Sequence, residues 1–141
     1  MLAACGGNQP PRAPDLARLP LVRGAKIVAK VQTCDTGANA FCAIHVVVVD
    51  RRFRSSDDLL ESEHRQLRKL GWTGATGDSG DEKAADSPGH KLRVTYATAS
   101  GDLKDIDLKV IKRPRPIAVA LARTLFDRQA AISMLLEIGT T

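Results

Sequence analysis

The chain has 141 residues, carries 21 Lys and Arg against 16 Asp and Glu for a formal charge of +5, and is 43% hydrophobic and 26% charged. This is the length of one domain with an ordinary globular composition, which excludes a wholly disordered, collagen-like or coiled-coil chain. Aromatic residues are confined to Trp72, Tyr96, Phe41, Phe53 and Phe126. The basic residues are not interleaved with them, and no RNA- or DNA-binding motif is present, so nucleic acid is a disfavoured partner.

The chain opens Met1-Leu2-Ala3-Ala4-Cys5-Gly6-Gly7. Leu2-Ala3-Ala4-Cys5 resembles the lipobox of bacterial lipoproteins, and with the proline-rich stretch behind it the chain is similar to small envelope lipoproteins of actinobacteria. The resemblance covers about the first dozen residues. It implies that Cys5 is the acylated residue, that the protein sits on the outer face of the cell membrane or in the periplasm or cell wall, and that its partner is an envelope protein, an anionic lipid or a cell-wall polymer. Only four residues precede Cys5, short of the charged and apolar regions an export signal needs. The resemblance therefore implies a start further upstream.

Residues 1–20 read as this lipobox remnant and a tether holding Pro10, Pro11, Pro14 and Pro20. Residues 21–141 read as a single α+β domain. Within it, 21–33 alternates, with Ile27, Ala29 and Val31 on one face, as in a half-buried strand. Cys42 to Asp50 is dense in β-branched residues and reads as a strand buried on both faces. The two strands make a hairpin with Cys34 and Cys42 at its turn. Three cysteines in an exported protein call for an explanation: acylation of Cys5 leaves Cys34 and Cys42 to form a disulfide. The competing readings are two free thiols, or metal ligation with Asp35 and His45, although Cys-x7-Cys-x2-His is not a zinc spacing.

Ser55-Ser56-Asp57-Asp58 resembles a helix N-terminus, with Ser55 as cap and acidic residues in the first turn. Leu59, Leu60, Leu67 and Leu70 form the apolar stripe of a helix, Gly71 is placed to stop it, and Trp72 to pack back on Leu67. Residues 73–90 read as a long mobile polar loop. Residues 91–98 alternate with Leu92, Val94 and Tyr96 inward, Ala99 to Asp102 reads as a turn, and 105–111 as a fourth strand with Ile106, Leu108 and Val110 inward. A second helix then opens at Pro116, carries Ile117, Leu121, Leu125, Ile132, Leu135 and Leu136, kinks or ends near Asp127, and is closed by Gly139. The order strand, strand, helix, strand, strand, helix predicts a four-stranded, mainly antiparallel sheet with both helices packed on one face.

No nucleotide, metalloprotease or nucleophile-elbow motif occurs, so no cofactor is expected. His45 reads as a core histidine bonded to a backbone carbonyl, His64 as a helix-surface residue, and His90 as the end of the loop. Two basic clusters, Arg51, Arg52 and Arg54, and Lys112, Arg113 and Arg115, each precede a helix N-terminus and are candidates for binding an anion or an acidic partner. The leading expectation is a lipid-anchored envelope protein with a small binding domain and no catalysis. The alternatives are a cytosolic nucleic-acid-associated protein, or a small hydrolase or transferase with a site between the 73–90 loop and the sheet edge.

Overall fold

A computed structural model describes residues 12–37, 40–74 and 82–139. The lipobox and Cys5 lie outside these residues, as do positions 75–81 of the expected loop.

The fold is α+β. Its strands are β1 (Lys26–Cys34), β2 (Cys42–Val49), β3 (Thr73–Gly74), β4 (Glu82–Asp86), β5 (Leu92–Thr98) and β6 (Ala131–Ile138). Its helices are α1 (Ser56–Lys69), α2 (Ala99–Asp107) and α3 (Arg115–Phe126). The sheet order is β1-β2-β6-β5-β4-β3, and every hydrogen-bonded pair is antiparallel. β2 and β5 both run antiparallel to β6, so they point the same way with β6 between them. Among the described residues the expected antiparallel sheet has six strands rather than four, with three helices rather than two.

The helices cover both faces, not one. Val46 and Val48 of β2 and Ile132, Met134 and Leu136 of β6 share a core with Leu59, Leu60 and Leu67 of α1. On the opposite face, Val47, Val49 and Ala131 pack against Ile117 and Leu121 of α3 and Ala99 of α2. Alternate residues of β2 and β6 thus enter two different cores, and that demands near-continuous apolar strands. Burying a Val, Leu, Ile or Met side chain contributes roughly 1.5–3 kcal/mol, so these two strands dominate the stability of the fold.

α1 forms as its sequence dictates. The Ser55 hydroxyl accepts from the Asp58 N–H at 3.1 Å. At the other end Gly71 takes φ +91° and the Trp72 N–H donates to the Leu67 carbonyl at 2.9 Å, the left-handed stop that glycine permits. Trp72 is buried in the α1 core, whereas Leu70, expected in the stripe, is exposed.

Four further expectations are not met among the described residues. The loop at 73–90 holds β3, β4 and a 3-10 turn, Pro88–His90. Glu82-Lys83-Ala84-Ala85-Asp86 has no β-branched residue to mark it as a strand; it pairs because β5 offers it an edge. The expected strand at 105–111 is absent: α2 starts at Ala99, capped by Thr98 accepting from the Gly101 N–H at 3.2 Å. Leu108 and Val110 are exposed. The second helix ends at Phe126, and Arg128 adopts φ +54°. Residues 131–138 are the interior strand β6. Residues 12–20, read as tether, pack on the domain: Pro14 and Leu19 are buried, and Arg12 bridges to Phe41.

Candidate functional site

The two cysteines meet as the hairpin requires. Cys34 pairs with Cys42 across β1 and β2, and their sulfurs form a disulfide. Cys34 is exposed and Cys42 buried. The disulfide lies at the end of the sheet where a shallow cavity of about 350 Å³ is lined by Thr33, Asp35, Phe41, Ala43, Glu137 and Gly139.

The basic clusters are not brought together as one anion site. Arg52 is folded back on the buried Asp50, with Nε and Nη2 donating to its two carboxylate oxygens at 3.1 and 2.8 Å. Arg113 donates to both oxygens of Asp102 at 3.3 Å, and their side chains are only 12% and 2% exposed. Arg113 is therefore an internal clamp joining the α2–α3 linker to the first turn of α2, not a surface cation. Arg51, Arg54, Lys112 and Arg115 remain exposed. Arg51 follows the end of β2, next to where α3 returns into β6. Arg115 opens α3, a helix length of about 18 Å from its other end.

Around the Arg113–Asp102 pair lies a polar patch on the α2–α3 face of the sheet. His45 is buried beside it, and among the described residues its Nδ1 has no hydrogen-bond partner. The core position expected of His45 is found, while its Nδ1 makes no bond to a backbone carbonyl among the described residues. Burial and then the Arg113 charge depress the His45 pKa, with Asp102 opposing, so the ring is neutral at physiological pH. Glu82 at the start of β4 is pushed up by burial, partly offset by Arg113. His64 is not a free surface residue: its Nδ1 lies 2.7 Å from the hydroxyl of the buried Tyr96. His90 sits 3.7 Å from Asp86, whose carboxyl is held low chiefly by its bond from Arg93. Among the described residues no group of three His, Cys, Asp or Glu is arranged to hold a metal.

Two features escaped sequence reading. Glu63 is 1% exposed within the α1 core. Its Oε1 accepts from the Val22 N–H at 2.9 Å, while its Oε2 is buried without a partner among the described residues. Burial pushes its pKa up to about 8 despite that hydrogen bond. The signal was present: Glu63 lies four residues from both Leu59 and Leu67, inside the apolar stripe.

The second feature is a groove of about 560 Å³ between α3 and β1, lined by Val28, Ala29, Pro116, Val119, Ala120 and Arg123 among others. Val28 is 51% and Val119 49% exposed. Phe126, 88% exposed, continues the helix stripe of Val119 and Arg123. Lys30 and Arg123 flank the groove and take part in no ion pair among the described residues.

Among the described residues no helix is long and apolar enough to cross a membrane. No protein-family model matches the chain, and no curated protein matches its sequence.

Proposed function

We propose that this chain is a lipid-anchored protein of the cell envelope, acylated at Cys5, whose α+β domain binds a partner and performs no chemistry of its own. The observation that carries the extracytoplasmic half of this reading is the Cys34–Cys42 disulfide on the hairpin. A disulfide between a surface-exposed cysteine and its cross-strand neighbour persists in an oxidising compartment and is rare in a reducing cytosol. The same bridge argues against the cytosolic nucleic-acid reading.

The lipobox-like Leu2-Ala3-Ala4-Cys5 supplies the anchor. Six residues separate Cys5 from Arg12, and the seven steps between them reach at most about 25 Å. Arg12 is seated beside Phe41 and Cys42, since the Cys42 N–H donates to the Arg12 carbonyl at 2.7 Å. The anchor therefore leaves from the disulfide end of the sheet. Arg51, Arg52 and Arg54 follow β2 at the other end, about eight residues or 26 Å away. That placement favours an envelope protein or cell-wall polymer over lipid headgroups as the partner.

The test is mass spectrometry of the protein recovered from its native cells, with fatty-acid labelling of the wild type and of Cys5→Ser. The expected result is acylated Cys5, loss of label in the variant, and Cys34 and Cys42 resistant to alkylation before reduction. An unmodified Cys5 together with alkylatable Cys34 and Cys42 overturns the reading.

A further inference from the structure

The described sheet has two edges. β3 is two residues long, whereas β1 offers nine. The Asp35 N–H donates to the Phe41 carbonyl at 2.9 Å, making 35 and 41 a hydrogen-bonded pair. Stepping back along the antiparallel register, 34/42, 32/44 and 30/46 are non-bonded pairs. The N–H and C=O groups of Lys30 and Gln32 therefore point away from β2, toward the open edge. Such an edge is a template for another strand.

The chemistry beside that edge differs by face. On the α3 side a strand added to β1 meets Ala29, Val119 and Ala120, with Arg123 also in the groove lining. On the other side it meets the exposed Lys30 and Gln32. We propose that the β1 edge and the α3 groove form a docking site for an extended segment of a partner protein that alternates apolar and acidic residues and adds to the sheet as a further strand.

Charge complementarity selects this occupant. The flanking side chains are cationic and have no acidic partner among the described residues. A second copy is a poor occupant, because β1 itself carries two lysines and no acidic residue to meet Lys30 or Arg123. Main-chain pairing supplies affinity with little sequence demand, while alternate side chains supply selectivity. The inference deepens the binding-module reading and rests on it only in that the domain binds a polypeptide.

The test uses the purified, disulfide-bonded chain and two nonapeptides, one alternating valine with glutamate and one alternating valine with lysine. NMR titration is expected to show the glutamate peptide shifting resonances of β1 and α3, and slowing exchange of the Lys30 and Gln32 amides. The lysine peptide should bind at least tenfold more weakly. The exposed double charge swap Lys30→Glu with Arg123→Glu should reverse the preference. Raising salt from 0.05 to 0.5 M should weaken the glutamate complex severalfold. Absence of binding up to 1 mM, equal binding of both peptides, or shifts located elsewhere overturns the proposal. So does occlusion of β1 by a dimer in sedimentation, or occupation of the groove by anionic phosphatidylglycerol vesicles in preference to the peptide. None of these readouts involves Cys5, so failure here leaves the acylation result standing, and the reverse also holds.

Discussion

Replacing Glu63 by Gln tests whether a carboxyl group is held neutral inside the α1 core. The folded chain pushes the Glu63 pKa from 4.5 up to about 8, with burial as the main cause. Below pH 4.5 the group is protonated whether the chain is folded or not, and it contributes nothing to pH dependence. Between 4.5 and about 8 the unfolded chain releases this proton while the folded chain retains it. The unfolded state then binds fewer protons, so stability falls as pH rises, and the fall levels off above about 8. Each pH unit in that window costs about 1.4 kcal/mol, which gives roughly 3 kcal/mol by pH 7 and 5 kcal/mol by pH 9. Glutamine keeps an oxygen to accept from the Val22 N–H and cannot ionise. Urea unfolding with the disulfide intact should therefore show Glu63→Gln close to wild type at pH 4.5 and more stable by several kcal/mol at pH 9. Glu63→Leu should lack the pH dependence too, yet leave the Val22 N–H unpaired at about 1–3 kcal/mol. An equal stability difference between wild type and Glu63→Gln at pH 5 and pH 9 would refute the neutral buried carboxyl.

Three other perturbations have defined outcomes. Cys34→Ser with Cys42→Ser removes the closure of a loop of about nine residues and should cost about 2.6 kcal/mol in the chain-entropy account, seen as a lower urea midpoint. Gly71→Ala should cost about 1–2 kcal/mol through backbone conformation alone, because φ there is +91° while the nearest obstacle to a Cβ is ordinary contact with Pro88 at 3.4 Å; thermal unfolding measures it. Asp102→Asn leaves Arg113 deprived of its charged partner and should destabilise by about 3–5 kcal/mol. The double variant with Arg113→Met should recover part of that loss in urea unfolding.

What the sequence disclosed depended on whether local and tertiary preferences agreed. At β2 they agree, because a Val-rich run prefers a strand and is buried as one. At α1 they agree again, and both caps form on the residues that announced them. At β6 they conflict. Ala131, Met134, Leu135, Leu136 and Glu137 all favour a helix, by at most about 0.7 kcal/mol per residue. Insertion between β2 and β5 buries Ile132, Met134 and Leu136 completely, each worth roughly 1.5–3 kcal/mol. Burial wins, and no local pattern reveals it. At α2 the period-two pattern of Ile106, Leu108 and Val110 misleads because two of the three are exposed. The candidate site divides the same way. Cys34 and Cys42 were legible as hairpin neighbours. Arg113 read as a surface cation because its partner, Asp102, was assigned to a turn. The α3–β1 groove joins residues some ninety positions apart, beyond any local signal.

The open β1 edge follows from where the rest of the chain goes. β6, last in sequence among the strands, takes the interior position beside β2 and fixes β1 on the outside. Among the described residues, the segment before β1 does not return to cover it. Arg12 instead occupies the far side of β2 at Cys42, and Leu19 and Val22 enter the α1 core, where Glu63 holds the Val22 N–H. The Cys34–Cys42 bridge pins the hairpin register. A slip by one residue would exchange the faces on which Ala29 and Lys30 lie. The Cys34–Cys42 disulfide therefore also sets which face of β1 carries Lys30 and which carries Ala29.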